Sequence, residues 1–139
     1  MERPLISHVG IAVKELETAI ARWKLVSGND TPVIEDVPDQ KVRVAMFTSA
    51  GSSGHGGGRV ELVSATSPES PIARFIEKNG EGLHHVCIYV DDIEAKLAEL
   101  KSAGVRLIDE QPRIGAEGKR IAFVHQGSMG GVLIELEER

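Results

Sequence analysis

The stretch HVGIAV (residues 8–13) returns 77 residues later as HVCIYV (residues 85–90). A short apolar segment with a single acid follows in each half: VELV (residues 60–63) carries Glu61, and VLIEL (residues 132–136) carries Glu135. Glu61 comes 53 residues after His8, and Glu135 comes 50 residues after His85. This repeat predicts a duplicated module in which each copy contributes one His and one Glu.

Composition restricts the kind of protein. A chain of 139 residues with 41% apolar and 27% charged residues is typical of one globular domain. The net charge of −5 argues against nucleic acid as a partner. The single cysteine, Cys87, cannot form an internal disulfide, and no apolar run reaches the roughly 18 residues that would span a membrane. The first predicted strand starts at residue 5, so we expect no signal peptide and a cytoplasmic location.

The first module, about residues 5–65, reads as strand, helix and three strands. Alternating apolar residues predict a strand at 5–13, and helical spacing predicts a helix at 15–27 that Gly28 ends. Further strands are predicted at about 32–37, 42–48 and 59–64. The Gly/Ser-rich tract 49–58 between the last two predicts a mobile hairpin loop, either a passive surface turn or a lid over the site. Its His55 is expected to be solvated rather than a metal ligand.

The second half repeats this order after a linking helix at about 70–80. Ser70 and Pro71 are a favoured N-cap and first residue, which predicts helical structure over 71–79. The second module, about 83–137, contains predicted strands at 84–90, 105–109, 120–125 and 131–137. Its helix is predicted at 93–103, begun by Asp92 and followed by Gly104. The predicted fold is therefore α+β, with two tandem βαβββ modules forming one cupped mixed sheet in a single domain, residues 1–139.

Strand alternation predicts which side chains face the cup. Val9, Ile11 and Val13 share one face of the first strand, and Val86, Ile88 and Val90 share the matching face of its repeat. We expect these faces to pack against the helices, which leaves both His8 and His85 on the concave side. Gly10 and Ala12 would leave room there for a ligand. By the same alternation Glu61 and Glu135 face the cup, His84 points the other way as a spectator or supporting group, and His125 is structural or near the mouth.

The four cup-facing groups suit a divalent metal ion. A carboxylate in the middle of an apolar strand is costly unless it is paired, and a cation removes that cost. Two imidazoles and two carboxylates favour Co²⁺, Zn²⁺, Mn²⁺, Fe²⁺ or Ni²⁺ over Ca²⁺. Taken singly, a strand His is more often a satisfied core residue, and Glu135 could open the acidic run Glu137-Glu138. Because the pattern occurs twice at matching positions, we predict a metal site at His8, Glu61, His85 and Glu135.

With these residues placed, the chain resembles the vicinal oxygen chelate superfamily and, within it, the methylmalonyl-CoA epimerase family. SPIARFIEKNGEGLHHVCIYVDDI (residues 70–93) and PRIGAEGKRIAFVHQGSMGGVLIEL (residues 112–136) are the specific stretches. The resemblance implies a homodimer, an acyl-CoA substrate and one divalent ion, Co²⁺ first, at the four positions above. It also implies epimerisation of methylmalonyl-CoA in propionate metabolism, by removal of the α-proton through a metal-stabilised enolate.

Epimerisation requires acid/base groups on opposite faces of the α-carbon. The resemblance implies that the metal-binding Glu135 is one of them. The family's second Glu lies on the strand that corresponds to 42–48, where this chain has Val44. We therefore expect Glu61 to be the opposite-face partner; the alternatives are a water molecule on the metal, or that the family's two-Glu scheme does not transfer to this chain. Some members of the family carry Gln at the position of Glu61.

The phosphates of CoA require cations. Lys119 and Arg120, with Arg113 nearby, are the candidates for this role, and a solvated hairpin is the alternative interpretation of the same residues. Gly127, Gly130 and Gly131 would allow a loop to approach the substrate closely.

Three other functions use the same cup. A glyoxalase I-type enzyme would isomerise a glutathione hemithioacetal, and the stretch 70–93 argues against it. An extradiol dioxygenase uses two His and one carboxylate for Fe²⁺, so a second carboxylate, Glu61, disfavours it. A metal-free binding protein of this fold has no use for two cup-facing carboxylates, and metal content would separate it from the enzymes.

Overall fold

The computed structural model describes residues 4–48 and 58–139 as an α+β fold built on one mixed sheet. The predicted hairpin loop 49–58, apart from its last residue, and His55 within it lie outside the described residues. The strands are β1 Ile6–Ala12, β2 Val33–Val37, β3 Val42–Phe47, β4 Arg59–Ala65, β5 Gly82–Val90, β6 Arg113–Ile114, β7 Arg120–Val124 and β8 Ile134–Glu138. The helices are α1 Leu16–Ser27, α2 Pro71–Asn79 and α3 Ile93–Ser102.

The order of strands in the sheet reflects the duplication. It is β2-β3-β4-β1-β5-β8-β7-β6, so the first strands of the two halves, β1 and β5, pair antiparallel at the centre. Each of them pairs on its other side with the last strand of its own half, β1 with β4 and β5 with β8, both in parallel. The four strands predicted to carry the His and Glu residues are therefore the four central ones.

Helices cover both faces of the sheet. The helices α1 and α3 pack on one face, where Ile20 meets Leu62 in the first half and Leu97 meets Leu136 in the second. The branched residues Ile11 and Ile88 belong to these two clusters, as the alternation predicts. The helix α2 lies on the other face, where Ile72 packs in a separate cluster; its remaining buried members are Ala12, Val37, Val42, Val44 and Val63. Among the described residues, no helix has the length and hydropathy needed to cross a membrane.

Helix boundaries agree closely with the prediction. Ser70 Oγ accepts a hydrogen bond from the Ile72 N–H at 3.2 Å, and Asp92 Oδ1 accepts one from the Ala95 N–H at 3.0 Å. Gly28 ends α1, with its N–H bonded to the Lys24 carbonyl at 3.0 Å. The local capping signals of the sequence therefore mark the real ends of these helices.

The predicted strand at 105–109 is wrong. Only an isolated bridge joins Leu107 to Val124 there, and the edge strand β6 comes later, at Arg113–Ile114. The Asp109 carboxylate accepts the Phe123 N–H at 2.8 Å, which a neighbouring strand's carbonyl would otherwise take. The predicted strand at 131–137 also begins late, at Ile134, because Gly130 and Gly131 have φ of 67° and 93° and continue the preceding turn.

Candidate metal centre

The four predicted ligands converge at the centre of the sheet. His8 on β1, Glu61 on β4, His85 on β5 and Glu135 on β8 are all buried, with exposed fractions of 2 to 6%. Their ligand atoms lie within 4.8 Å of one another. His85 Nε2 is 3.0 Å from Glu135 Oε1 and 3.5 Å from Glu61 Oε1. His8 Nε2 is 3.3 Å from Glu135 Oε1, 3.4 Å from Glu61 Oε1 and 3.3 Å from His85 Nε2.

The register of the central strands explains this convergence. Gly10 on β1 is paired with Glu61 on one side and with His85 on the other. Cys87, the corresponding residue of the second half, is paired with His8 and with Glu135. In each half the second residue after the ligand His is small and lies between two ligands, so the side chains beside it can lean together.

Gly10 makes room for a ligand side chain rather than for a substrate. A Cβ atom at this position would lie 2.0 Å from His85 Cε1, because the imidazole fills that space. Ala12, also expected to leave room, instead packs in the cluster of Ile72 on α2. The prediction of free space above these two residues is therefore wrong, although the predicted direction of His8 and His85 is confirmed.

Electrostatics couple the four groups strongly. Burial alone would lower the pKa of His8 and of His85, but hydrogen bonds with Glu135 and Glu61 outweigh it and raise these pKa values to about 10 and about 9. Burial alone would raise the pKa of each carboxyl, and hydrogen bonds from His8 and His85 instead hold the pKa of Glu61 and of Glu135 below the usual range. At neutral pH without metal, the His8 and His85 rings therefore each carry one proton more than a neutral imidazole, which gives the cluster two extra protons.

These residues fit a divalent cation on two grounds. Ligands that bind one cation at about 2.1 Å lie roughly 3 to 3.4 Å apart, and the five separations given above are 3.0 to 3.5 Å. A charge of +2 also replaces the two extra protons without changing the net charge of the cluster. The described residues therefore contain a potential metal-binding cluster of the predicted composition, and they do not identify the metal.

A pocket of about 730 Å³, counted out to its open mouth, reaches this cluster. Glu61, Glu135 and His85 form part of its wall, and they are joined by His84. Much of the rest is apolar and comes from β2, β3, β4 and α2: Val37, Val42, Val44, Val63, Pro71 and Ile72. Among the described residues that line the pocket, Glu61 and Glu135 are the only acids, and Val44 is buried where the family resemblance would have placed another.

His84 lines the pocket although simple alternation predicts the opposite face. The pairing of β1 with β5 shifts between Gly10–His85 and Ile11–Leu83, so His84 is the extra residue of a β-bulge. Its Nδ1 lies 2.9 Å from His85 Nδ1. Burial, and then the nearby charge of His85, lower the pKa of His84 to about 4. His125 is structural, since its Nδ1 accepts the Gly127 N–H at 2.9 Å.

The predicted cations lie in different places. Arg120 lies 3.1 Å from Glu94 Oε1 and 3.2 Å from Glu138 Oε1, on the face that α3 covers. The structure therefore does not bring Arg120 to the pocket, and Lys119 lies on the turn just before β7. Arg113 does line the pocket: its guanidinium sits 5.5 Å from the centre of the Phe123 ring, and its Nε is buried without a hydrogen-bond partner among the described residues.

A buried polar network beside His8 was not predicted. Ser7, Arg59 and Glu137 are almost fully buried, and Ser7 Oγ–H donates to Glu137 Oε1 at 3.1 Å. The Arg59 Nη2–H groups donate to Ser7 Oγ at 2.7 Å and to Tyr89 Oη at 3.2 Å. In the sequence, Glu137 stands only as part of the acidic run Glu137-Glu138. Its position two residues after Glu135, on the same strand face, was the available signal.

Comparison with known proteins agrees with this arrangement. Residues 7–123 match the Glyoxalase/Bleomycin resistance protein/Dioxygenase superfamily. The chain is 39% identical to the mitochondrial methylmalonyl-CoA epimerase of Bos taurus over 134 residues, covering 96% of this chain and 73% of that protein. It is 38% identical to the ethylmalonyl-CoA/methylmalonyl-CoA epimerase of Cereibacter sphaeroides, covering 96% of each chain.

A solved structure shows the same likeness in three dimensions. A variant of Streptomyces coelicolor methylmalonyl-CoA epimerase, in complex with 2-nitronate-propionyl-CoA, superposes with a TM-score of 0.89 at 32% identity, covering 99% of this chain and 98% of that one. The fold and the two-His, two-carboxylate cluster therefore define a member of the glyoxalase and bleomycin resistance superfamily, the vicinal oxygen chelate proteins. Within that superfamily, the chain belongs to the methylmalonyl-CoA epimerases.

Proposed function

We propose that this chain interconverts the (2R) and (2S) epimers of methylmalonyl-CoA by moving the proton on the α-carbon. One observation carries the proposal: Glu61 and Glu135 meet two imidazoles at the end of a pocket whose other described lining residues include no acid. The names and bound ligand of the similar proteins support the substrate. Propionate metabolism is the setting that this activity implies.

His8, Glu61, His85 and Glu135 would hold the cation, and Co²⁺ is our first choice, with Zn²⁺, Mn²⁺, Ni²⁺ or Fe²⁺ as alternatives. When bound, such an ion supplies Lewis-acid stabilisation of the negative charge that develops when the α-proton leaves. The protein residues hold these ligands at the closed end of the pocket and exclude bulk water from them. The apolar wall around Val44 and Ile72 suits the alkyl substituent of the substrate.

We propose Glu135 and Glu61 as the two acid/base groups. Glu135 belongs to β8 and Glu61 to β4, and these strands lie on opposite sides of the central β1–β5 pair. The two carboxylates therefore approach the site from opposite directions, which is what proton exchange on both faces of one carbon requires. In one direction the carboxylate on one face would take the α-proton while the other group, in its protonated form, delivers a proton to the opposite face, and in the reverse direction the two roles exchange.

Arg113 is the cation that we propose for substrate binding, and Lys119 is the second candidate. Arg113 lines the pocket, and its buried Nε has no hydrogen-bond partner among the described residues. A phosphate or carbonyl oxygen of the acyl-CoA would satisfy that group. Both arginines form ion pairs, Arg113 with Asp39 and Asp109 and Arg120 with Glu94 and Glu138, but only Arg113 lines the pocket.

The test is exchange of the α-proton with solvent deuterium, started separately from each epimer. Co²⁺-loaded protein should incorporate deuterium and epimerise, and protein treated with EDTA should do neither. Glu135→Gln and Glu61→Gln should each abolish exchange from one epimer while sparing exchange from the other. Glu99→Gln on exposed α3 surface is the matched control and should behave as wild type.

Three results would contradict parts of this proposal. Full activity of Glu61→Gln with bound metal would remove Glu61 as the second base. Metal binding without exchange, together with turnover of a glutathione hemithioacetal, would favour a glyoxalase I-type function. Absence of both metal and exchange would favour a small-molecule binding protein of the same fold.

The homodimer is also part of the proposal. The edge strand β2 exposes Val33 and Ile34, and a second copy of the chain would cover such apolar side chains. Light scattering coupled to size-exclusion chromatography should give twice the 15.0 kDa mass of one chain. A mass of one chain would contradict the dimer. The cytoplasmic location stays a prediction from the sequence.

A further inference from the structure

Each predicted metal-binding His follows the extra residue of a β-bulge. The β1–β5 register shifts between Ile6–Ile88 and His8–Cys87, which makes Ser7 the extra residue of β1. It shifts again between Gly10–His85 and Ile11–Leu83, which makes His84 the extra residue of β5. A bulge turns the extra side chain toward the same region as its neighbour. As a result, each His has a polar side chain against its second ring nitrogen.

The Ser7 hydroxyl, beside His8, uses its one donor and both of its acceptor positions in hydrogen bonds. Its Oγ–H donates to Glu137 Oε1, and its oxygen accepts from Arg59 Nη2 and lies 2.9 Å from His8 Nδ1. Because the one hydroxyl proton is given to Glu137, the contact with His8 forms only if Nδ1 carries a proton that it donates. Nε2 is then the His8 nitrogen that gives up its proton when a cation binds in the cluster of ligand atoms.

His84 does the same for His85 by different chemistry. The two Nδ1 atoms are 2.9 Å apart, so one of them donates and the other accepts. His85 Nε2 faces the carboxylates of Glu135 and Glu61, so a cation bound there would leave the ring proton on Nδ1 and make His84 Nδ1 the acceptor. The Phe75 and His84 rings pack edge to face, with centroids 4.8 Å apart and planes at 88°, and this contact holds the His84 ring in place.

We propose that Ser7 and His84 are positioning residues that keep a proton on Nδ1 of His8 and of His85, so that Nε2 is the nitrogen of each ring that gives up its proton and binds the cation. The inference rests on the metal centre of the proposed function. Neither residue is assigned a proton-transfer step. Loss of such a partner in metal sites typically weakens metal binding by about 10- to 100-fold.

Co²⁺ affinity is the first measurement. Ser7→Ala and His84→Phe should each lower it by about 10- to 100-fold. Ser7→Thr keeps the hydroxyl oxygen, and His84→Asn supplies an amide oxygen in place of the His84 Nδ1 acceptor, so both should recover most of the lost affinity. Ser64→Ala removes another buried serine of the same sheet and should bind Co²⁺ as wild type does. Urea unfolding of the metal-free variants reports any general loss of stability separately.

Proton NMR of the Co²⁺-loaded protein tests the tautomers directly. The two Nδ1–H protons should appear as paramagnetically shifted signals that disappear in D₂O. The Ser7→Ala change should shift or broaden one signal and His84→Phe the other, which a general loss of stability would not do.

Wild-type affinity and unchanged signals in Ser7→Ala and His84→Phe would overturn the proposal, as would a wild-type chain that binds no Co²⁺. Neither readout involves substrate. Loss of epimerase activity alone would therefore count against the proposed function and leave this inference standing.

Discussion

At the scale of single residues, Gly10 controls the position of a ligand that lies on another strand. The space for a side chain at this position is already filled by the His85 imidazole. Cys87 occupies the corresponding place in the second half, between His8 and Glu135, and its side chain is fully buried there. The two halves thus match in the way their strands pair, but they differ at this position, where the first half has no space for a side chain and the second half holds one.

Gly10→Ala should disrupt the centre. The added methyl group meets His85 at 2.0 Å, so the imidazole must move, and an overpacked buried site typically costs about 1 to 3 kcal/mol. We expect Co²⁺ affinity, measured by isothermal titration calorimetry, to fall at least about tenfold, in line with the loss of a supporting contact. Cys87→Ala at the equivalent position should keep the affinity. Wild-type affinity in Gly10→Ala would show that His85 is not held against the β1 backbone.

Metal binding should release protons. The pKa values of about 10 for His8 and about 9 for His85 mean that both rings are protonated at pH 7 without metal. A cation must displace both protons, so about two should be released per ion. Apparent affinity should therefore rise with pH from 7 to about 9 and level off near 10. Calorimetry in buffers of different ionisation enthalpy measures the release, and fewer than one proton per ion would contradict these pKa directions.

At the scale of secondary-structure elements, α2 differs from the other helices in facing the pocket. Its residues Pro71 and Ile72 form part of the wall, whereas α3 covers the opposite face of the sheet. Both helices begin at a residue whose side chain accepts a backbone N–H, Ser70 for α2 and Asp92 for α3. Loosening either helix should therefore cost stability, and only α2 should affect the substrate.

Ser70→Ala and Asp92→Ala make a matched pair for this comparison. Each loses an N-cap hydrogen bond, which typically costs about 1 kcal/mol of unfolding free energy. Urea unfolding should show similar losses for both. Only Ser70→Ala should raise the KM for methylmalonyl-CoA, because it loosens the pocket wall. Equal KM effects in the two variants would contradict the assignment of α2 to the substrate side.

The elements were predictable where local patterns decide them. The caps of α2 and α3 are marked by Ser70-Pro71 and Asp92, and the repeated apolar alternation marks β1 and β5. The strand at 105–109 was not predictable, because the Asp109 side chain takes a backbone hydrogen bond of the neighbouring strand. This contact depends on a residue 14 positions away, which no local pattern reveals.

The metal cluster could be predicted because the sequence is duplicated. Its surroundings could not, because β-bulges change the direction of the side chains there. Alternation with period two places His8, Glu61, His85 and Glu135 correctly, because no bulge separates each ligand from the apolar residues that follow it. The same rule fails for His84, since one extra residue in β5 reverses the direction of its side chain. Arg120 shows another limit: its charge suggested a phosphate, and a neighbouring helix supplies Glu94 instead.

At the scale of the whole molecule, a cation should stabilise the fold because its ligands come from four strands. Binding to the native state alone contributes about 2.7 kcal/mol at a free ion concentration 100 times the Kd. For a chain of this length, the midpoint of thermal unfolding should rise on the order of 10 °C. EDTA should reverse the rise, and His8→Ala should show little of it. An equal rise in His8→Ala would place the binding elsewhere.

The antiparallel pairing of β1 with β5, which joins the two halves of the sheet, bears on how the molecule evolved. Each half supplies one imidazole and one carboxylate, too few to hold a cation alone, and the four meet only where the halves join. A single ancestral module could therefore have built this centre only by pairing with a second copy of itself. Joining the two copies in one chain made their pairing intramolecular, so it no longer depended on protein concentration. It also allowed each copy to change independently, and the equivalent positions of the two halves now carry different residues, Ser7 and His84.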